Sequence, residues 1–379
     1  MRLLRNSFTF GLSASRRSVS CLVAITFVTA CSSPPDPTQT VKSKVRWLVP
    51  SAIAPTASLI HELAVTDSIY FVGAALQIAA HRVSDGALVW TRSDVASRPP
   101  IVLGDSVVVV LSAFGSAAMR QRDGAVLWRS SAVGTGSPVM PVAWGLYGMF
   151  VDYDGSLYTV SLADGATRRV ATMTSLTGGA GAIWGLSLLG DTVAVLSQRA
   201  DSPIRGALWL SHVLLADGRV LRSTAIPTLP NESASAAPMV LTAAGALIGQ
   251  FTGGLASIDA RTGARVWTLS AINTGQRFAV RDGKVYAGTG DGTILVFDAA
   301  TGSQIRRIEK LSASIQDVYP CREGIVFTSG GLYLVQDQTG AKAVELVPNN
   351  GDGGFNYLTR NATSVFSSAE SREVAFACS

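Results

Sequence analysis

The chain has 379 residues, 47% of them hydrophobic and 15% charged, with 31 Lys and Arg against 26 Asp and Glu and a formal charge of +5. That composition can bury a sizeable core and excludes a disordered chain, while the basic balance taken alone raises nucleic acid or anionic membrane as partners. Four Cys are too few for a disulfide scaffold, no Cys/His cluster offers a zinc site, and three scattered His leave multi-imidazole chemistry without residues.

Arg2, Arg5, Arg16 and Arg17 precede an apolar run over residues 21–30, with no acid among them. About ten apolar residues suit the centre of an export signal and are too few to span a bilayer. The segment Val28-Thr29-Ala30-Cys31, followed by Ser32-Ser33-Pro34-Pro35, resembles the lipobox of bacterial lipoproteins. The resemblance implies cleavage before Cys31, acyl chains on Cys31 and a Ser/Pro tether over residues 31–43. With Ser32 after the cysteine, it also implies sorting to the outer membrane, with the folded part, residues 44–379, in the periplasm. An ordinary signal peptide cut nearby, leaving Cys31 incidental, is the alternative. Removal of residues 1–30 takes away four basic residues and no acidic one, which leaves 27 against 26, a net charge of +1. The basic balance belongs to the export signal, so nucleic acid drops out as a partner and the membrane stays through lipid.

The rest of the chain repeats. Turn glycines recur at Gly86, Gly124, Gly165, Gly218, Gly263, Gly302 and Gly340, at intervals of 38, 41, 53, 45, 39 and 38 residues. Asp or Thr precedes each glycine, and alternating apolar runs lie on both sides, as in Ala125-Val126-Leu127-Trp128. Period-2 runs joined through Asp-Gly or Thr-Gly are hairpins, because glycine supplies the positive φ of a tight turn. A second hairpin sits earlier in each unit, clearest at Asp282-Gly283, and no amphipathic helix intervenes. Four short strands about every forty residues describe propeller blades.

Trp90, Trp128 and Trp267 each fall four residues after the turn glycine, and the fifth unit carries the fuller pattern Asp259-Ala-Arg-Thr262-Gly263-Ala-Arg-Val-Trp267. The sixth keeps Asp298 and Gly302 but ends in Arg306. This resembles the PQQ-like (quinoprotein-type) propeller repeat over about residues 60–345, which implies an all-β fold in which the Trp stacks between blades. Arg169, Arg222, Arg306 and Val344 stand where the tryptophan is due in the other units, so the stacking is degenerate. Three strand-like pieces at 355–359, 362–366 and 372–377 need a fourth, and Lys44-Val45-Arg46-Trp47-Leu48-Val49 supplies it. The expected architecture is an eight-bladed propeller with this Velcro closure, seven blades being the alternative.

Quinoproteins with this repeat bind the cofactor and Ca²⁺ on the axis, with an Asp base and a vicinal cysteine pair. No vicinal pair occurs here, and no catalytic, cofactor or metal site is assigned. Asp152 and Asp154 read as a hairpin turn before they read as Ca²⁺ ligands, and Gly288-Thr289-Gly290-Asp291-Gly292 has no helix after it to make a phosphate loop. His61, His81 and His212 have no partner at telling spacing and default to ordinary strand or loop residues. Cys321 and Cys378 fall on one face of blades seven and eight in this register, a candidate disulfide stapling the closure, with two buried thiols as the alternative. The 53-residue interval places an insertion in blade four. Its Arg199, Asp201 and Arg205 are candidate partner contacts against the alternative of a tolerated surface loop. Anchor and propeller together resemble the BamB-like lipoproteins, scaffolds of the β-barrel assembly machinery. The resemblance implies a non-enzymatic protein-binding role, against the alternative of a PQQ-dependent dehydrogenase or quinone-binding sensor.

Overall fold

The computed structural model describes residues 44–53, 62–74, 77–95, 98–103, 106–112, 115–131, 139, 141–152, 154–200, 207–227, 239–251, 254–270, 277–309, 311, 314–336, 342–351, 354–355, 357–369 and 371–378. The export segment, Cys31 and the tether lie outside them.

Period-2 apolar runs separated by glycine turns form eight four-stranded antiparallel sheets, each strand pairing with the next in sequence. Blades 1 to 7 span residues 62–92, 98–130, 142–171, 181–226, 240–270, 278–308 and 317–347. Blade 8 joins residues 358–377 to the N-terminal strand Val45–Pro50, which pairs antiparallel with Arg372–Ala377 and sets Trp47 opposite Ala375. The first strands line the ring. The first strand of blade 1, Glu62–Val65, touches those of both blade 2 and blade 8, so the circle is closed. The eight-bladed architecture is thus observed, and the seven-bladed alternative is excluded. The last blade begins later than its apolar pattern indicates, at Leu358 rather than residue 355. Phe355 instead donates its N–H to Gly330 O at 2.7 Å and is fully buried on the way out of blade 7.

A four-stranded sheet cannot bury its own faces, so each blade depends on its neighbours. The buried side chains fall into eight clusters among the described residues, one at each blade junction. At the first, Phe71, Ile78 and Trp90 of blade 1 meet Val108, Val110 and Met119 of blade 2.

One contact recurs around the ring. A fourth-strand tryptophan lies flat on the turn glycine of the next blade and donates its indole N–H to the carbonyl three residues before that glycine. Trp47 reaches Val83 O at 2.8 Å beside Gly86, and Trp90 reaches Gln121 O at 2.6 Å beside Gly124. Trp128 reaches Leu162 O at 2.8 Å beside Gly165, and Trp267 reaches Ala299 O at 3.0 Å beside Gly302. Glycine is needed here twice over. Gly124 has φ +68°, and a Cβ on it would sit 2.7 Å from Trp90 Cδ2. The turn itself closes in two ways: Asp123 accepts from Ala125 N at 3.0 Å, whereas Asp259 accepts from Arg261 N at 3.0 Å and Thr262 N at 2.6 Å.

The long interval before Gly218 is not confined to one loop. A helix over Met173–Thr177, capped by Thr172, and the lengthened strands Gly181–Leu189 and Thr192–Arg199 absorb part of it.

Replacing Trp90 with Ala removes a buried aromatic and its hydrogen bond, so the unfolding free energy in chemical denaturation is expected to fall by about 3–5 kcal/mol. Leu127→Ala, on an exposed side chain, is expected to change it by less than about 0.5 kcal/mol.

Candidate functional site

At the closure, residues from both chain ends and from blade 1 meet out of water. Glu373 and His81 are both buried, with His81 Nε2 at 3.0 Å from Glu373 Oε2. Ser51 donates to Glu373 Oε1 at 3.0 Å, and His81 Nδ1 lies 3.0 Å from Gly86 O, at the turn that carries Trp47. Tyr70 stacks on Phe366 at 5.1 Å beside them. Burial pushes the Glu373 carboxyl up to about 7 and the His81 imidazole down. Burial, and then the Glu373 carboxylate, push the Tyr70 phenol up. In this dry site both shifts favour the uncharged forms of the two groups. Two further links hold this seam. Cys321 and Cys378 Sγ lie within bonding distance, with Cα atoms 5.2 Å apart, and Lys44 pairs with Glu323 Oε1 at 2.7 Å next to them.

Where the inner strands begin, Arg277, Asp317 and Tyr357 occupy the same register in blades 6, 7 and 8, forty residues apart. Arg277 lies over the Tyr357 ring at 4.0 Å. Asp317 accepts from Val318 N at 2.8 Å with Oδ1 and from Leu358 N at 2.9 Å with Oδ2. Burial outweighs the nearby Arg277 charge and lifts its carboxyl to about 6. Both of its oxygens are engaged by the backbone, tying blade 7 to blade 8.

Between blades 3 and 4 the repeat breaks. In blades 2 and 5 the fourth strand bulges at the third residue after the turn glycine, which swings the next residue, the tryptophan, toward the neighbouring blade. Blade 3 pairs straight through that point, Thr159 opposite Arg168 and Tyr158 opposite Arg169, and bulges only before Ala171. Arg168, not Arg169 as counting from the glycine predicts, thus takes the tryptophan position. Its guanidinium donates to Leu215 O at 3.0 Å and Ala216 O at 3.1 Å, the first being the carbonyl that an indole takes elsewhere. A slender arm replaces a flat ring, and a cavity of about 450 Å³ opens beside it. Trp144 and Tyr147 line this cavity as a stacked pair, 5.7 Å apart and inclined by 22°, together with Thr159, Ser161 and Asp164. Blade 4 loses its tryptophan differently: Arg222 donates to Arg261 O at 2.7 Å, and His212 Nε2 lies 2.6 Å from Ala260 O.

Of the loop candidates, Arg199 ends a strand and donates to Thr177 O at 3.3 Å, while Asp201 and Arg205 lie outside the described residues, as does His61. Asp154 caps its own turn through Ser156 N at 2.8 Å, and Thr289 and Asp291 bond each other within a hairpin turn. His81 and His212 both lie in strands, and each also reaches the adjoining blade, His81 facing Glu373 of blade 8 and His212 meeting Ala260 O of blade 5.

A family model described as outer membrane protein assembly factor BamB matches residues 42–202, 77–308 and 251–375. No curated protein sequence matches. Among solved structures, BamB from Moraxella catarrhalis is similar with a TM-score of 0.64 at 14% identity, covering 87% of this chain and 97% of that one. The quinohemoprotein alcohol dehydrogenase from Comamonas testosteroni is similar with 0.66 at 11%, covering 89% and 78%. A computationally designed protein, Ika8, gives 0.62 at 15%, covering 88% and 99%. At these identities the likeness is one of fold.

The seam generates two expected outcomes. As pH rises from about 4.5 through about 7, the unfolded chain releases a Glu373 proton that the folded chain keeps, so this group's effect is lost stability across that window. His81 acts in the opposite direction, costing stability as pH falls below its ordinary value of 6.5. Glu373→Gln is therefore expected to be more stable than the parent at pH 8, on the order of 3 kcal/mol, with the gap closing toward pH 5 in denaturation curves. Thiol titration of the unfolded chain is expected to find Cys321 and Cys378 only after reduction, with reduction costing about 2–4 kcal/mol of stability.

Proposed function

The chain belongs to the family of outer membrane protein assembly factor BamB, and from that membership we propose that it is a non-enzymatic scaffold, held at the outer membrane by lipid on Cys31 and docking proteins of the β-barrel assembly machinery. The observation that carries the reading is the rim. On the outermost strands of blades 2, 4, 5 and 6, the bulged residues Leu127, Leu221, Val266 and Ile305 are 43–52% exposed, beside edges with open backbone groups. Large apolar side chains repeated along strand edges are a liability in a free monomer and suit a partner's strand or apolar face.

The quinoprotein reading requires carboxylates free to hold a metal and quinone near the axis. Asp317, the buried acid of the inner strands, has both oxygens engaged by backbone N–H groups, and Arg277 is stacked on Tyr357. No group of three or more His, Cys, Asp or Glu is placed to hold a metal among the described residues. These residues do not fit the group, and no step is derived through it.

The test is affinity capture of the tagged full-length lipoprotein from detergent-solubilised outer membranes of the producing bacterium. Barrel-assembly components are expected in the eluate, with capture reduced at least tenfold by Val266→Asp combined with Ile305→Asp. An eluate without such components overturns the reading. So does a new absorbance band on adding PQQ and Ca²⁺, accompanied by dye reduction with alcohols.

A further inference from the structure

We propose that the cleft between blades 3 and 4 is a binding site for a neutral pyranose sugar. The site exists because the repeat departs from its own rule there: the displaced bulge puts Arg168 where a tryptophan fills the junction in other blades, and about 450 Å³ is left open. That volume lies within the range of small-ligand pockets and admits one or two sugar rings.

The walls select the ligand class. Trp144 and Tyr147, stacked 5.7 Å apart, form an aromatic wall, and Tyr147 is 43% exposed. A pyranose presents C–H groups on its faces, which settle on the electron-rich face of such rings. Its hydroxyls lie around the ring edge, and the hydroxyls of Thr159 and Ser161 and the carboxylate of Asp164 line the same cavity. The hydrogen bond from Ser161 and that from Ala166 N at 3.0 Å hold the Asp164 carboxyl below its ordinary range, so it stays an acceptor across physiological pH.

Charge argues for a neutral ligand. Asp164 and Arg168 are of opposite sign, and two carbonyls already engage the guanidinium. An anionic sugar meets the carboxylate without a free cation to offset it. An indole or phenyl group from a partner satisfies the aromatic wall but offers no hydrogen bond to the polar edge, where Thr159, Ser161 and Asp164 would keep only their bonds within the protein and give up those to water. A sugar meets both kinds of wall at once.

The experiment is calorimetric titration of the intact chain with cellobiose and with the N-acetylglucosamine disaccharide, following tryptophan fluorescence in parallel. Glucuronic acid and N-acetyltryptophanamide are the anionic and aromatic comparisons. Saturable binding of at least one neutral disaccharide is expected, at least tenfold tighter than either comparison. Tyr147→Ala and Asp164→Asn are expected to weaken it at least tenfold with the far-ultraviolet spectrum and unfolding midpoint retained. Arg168→Trp, which restores the repeat residue, is expected to close the cleft and abolish binding. No saturation by either disaccharide at millimolar concentration overturns the proposal, as does binding that survives Tyr147→Ala and Arg168→Trp unchanged. Preference for N-acetyltryptophanamide overturns it in favour of an aromatic side chain from a partner. The readout needs no assembly partner, so it stands or falls apart from the scaffold reading.

Discussion

The contact on which this ring depends is a flat side chain of one blade laid over a glycine turn of the next. A single blade buries neither face, so the energy of the fold resides in the junctions, and a junction must fix both spacing and angle between two twisted sheets. The indole does both. Its plane sets the separation, and its N–H, tied to a carbonyl three residues before the glycine, sets the register, as Trp90 does with Gln121. The turn glycine follows from the tryptophan: Gly124 adopts positive φ, and any Cβ on it would enter the ring. Sequence spacing, turn type and inter-blade packing are thus one constraint seen at three levels.

A ring adds the requirement that its two chain ends be joined, and here they meet inside blade 8, where the N-terminal strand pairs with the C-terminal one. Blade 8 borrows its outer strand from the N-terminal side, and strand pairing is reinforced by side chains from three directions. Trp47 repeats the standard contact onto Gly86, and Lys44 and Cys378 lead back to Glu323 and Cys321 of blade 7. The buried Glu373 joins Ser51 and faces His81. A buried ionisable pair in a dry interface is seldom a net source of stability, but leaving either member there without the other is costly. Slipping the N-terminal strand by one residue would carry Ser51 away from the Glu373 carboxyl and Trp47 away from Val83 O.

The repeat was legible in the sequence because its markers are local. Gly86 and Gly124 sit in turns that need positive φ, the alternating runs read directly as strands, and Trp128 keeps a fixed offset from its glycine. What escaped was whatever depends on register or on distant chain. Counting from Gly165 points to Arg169, but a bulge is a property of strand pairing, and its shift to the residue before Ala171 hands the position to Arg168. His81 carries no sign of its partner, since Glu373 arrives only when the ring closes. His212 likewise meets Ala260 across a junction that no spacing announces. The length excess before Gly218 was visible, but its division between a helix and longer strands was not, because polar and small residues there fit either.

The distribution of tryptophans around the ring then has a physical sense. Trp47, Trp90 and Trp128 serve three consecutive junctions, beginning with the strand that closes blade 8 against the far end of the chain, and Trp267 serves the junction of blades 5 and 6. At the junctions after blades 3 and 4, arginines bonded to backbone carbonyls take the place of the indole. A guanidinium arm fixes register as an indole does, but it fills far less volume and tolerates water beside it. Rigid aromatic packing is therefore not required at every junction of the ring. Where the junction can do without it, the same register hydrogen bond is made by a thinner side chain, and the space released becomes available for recognition.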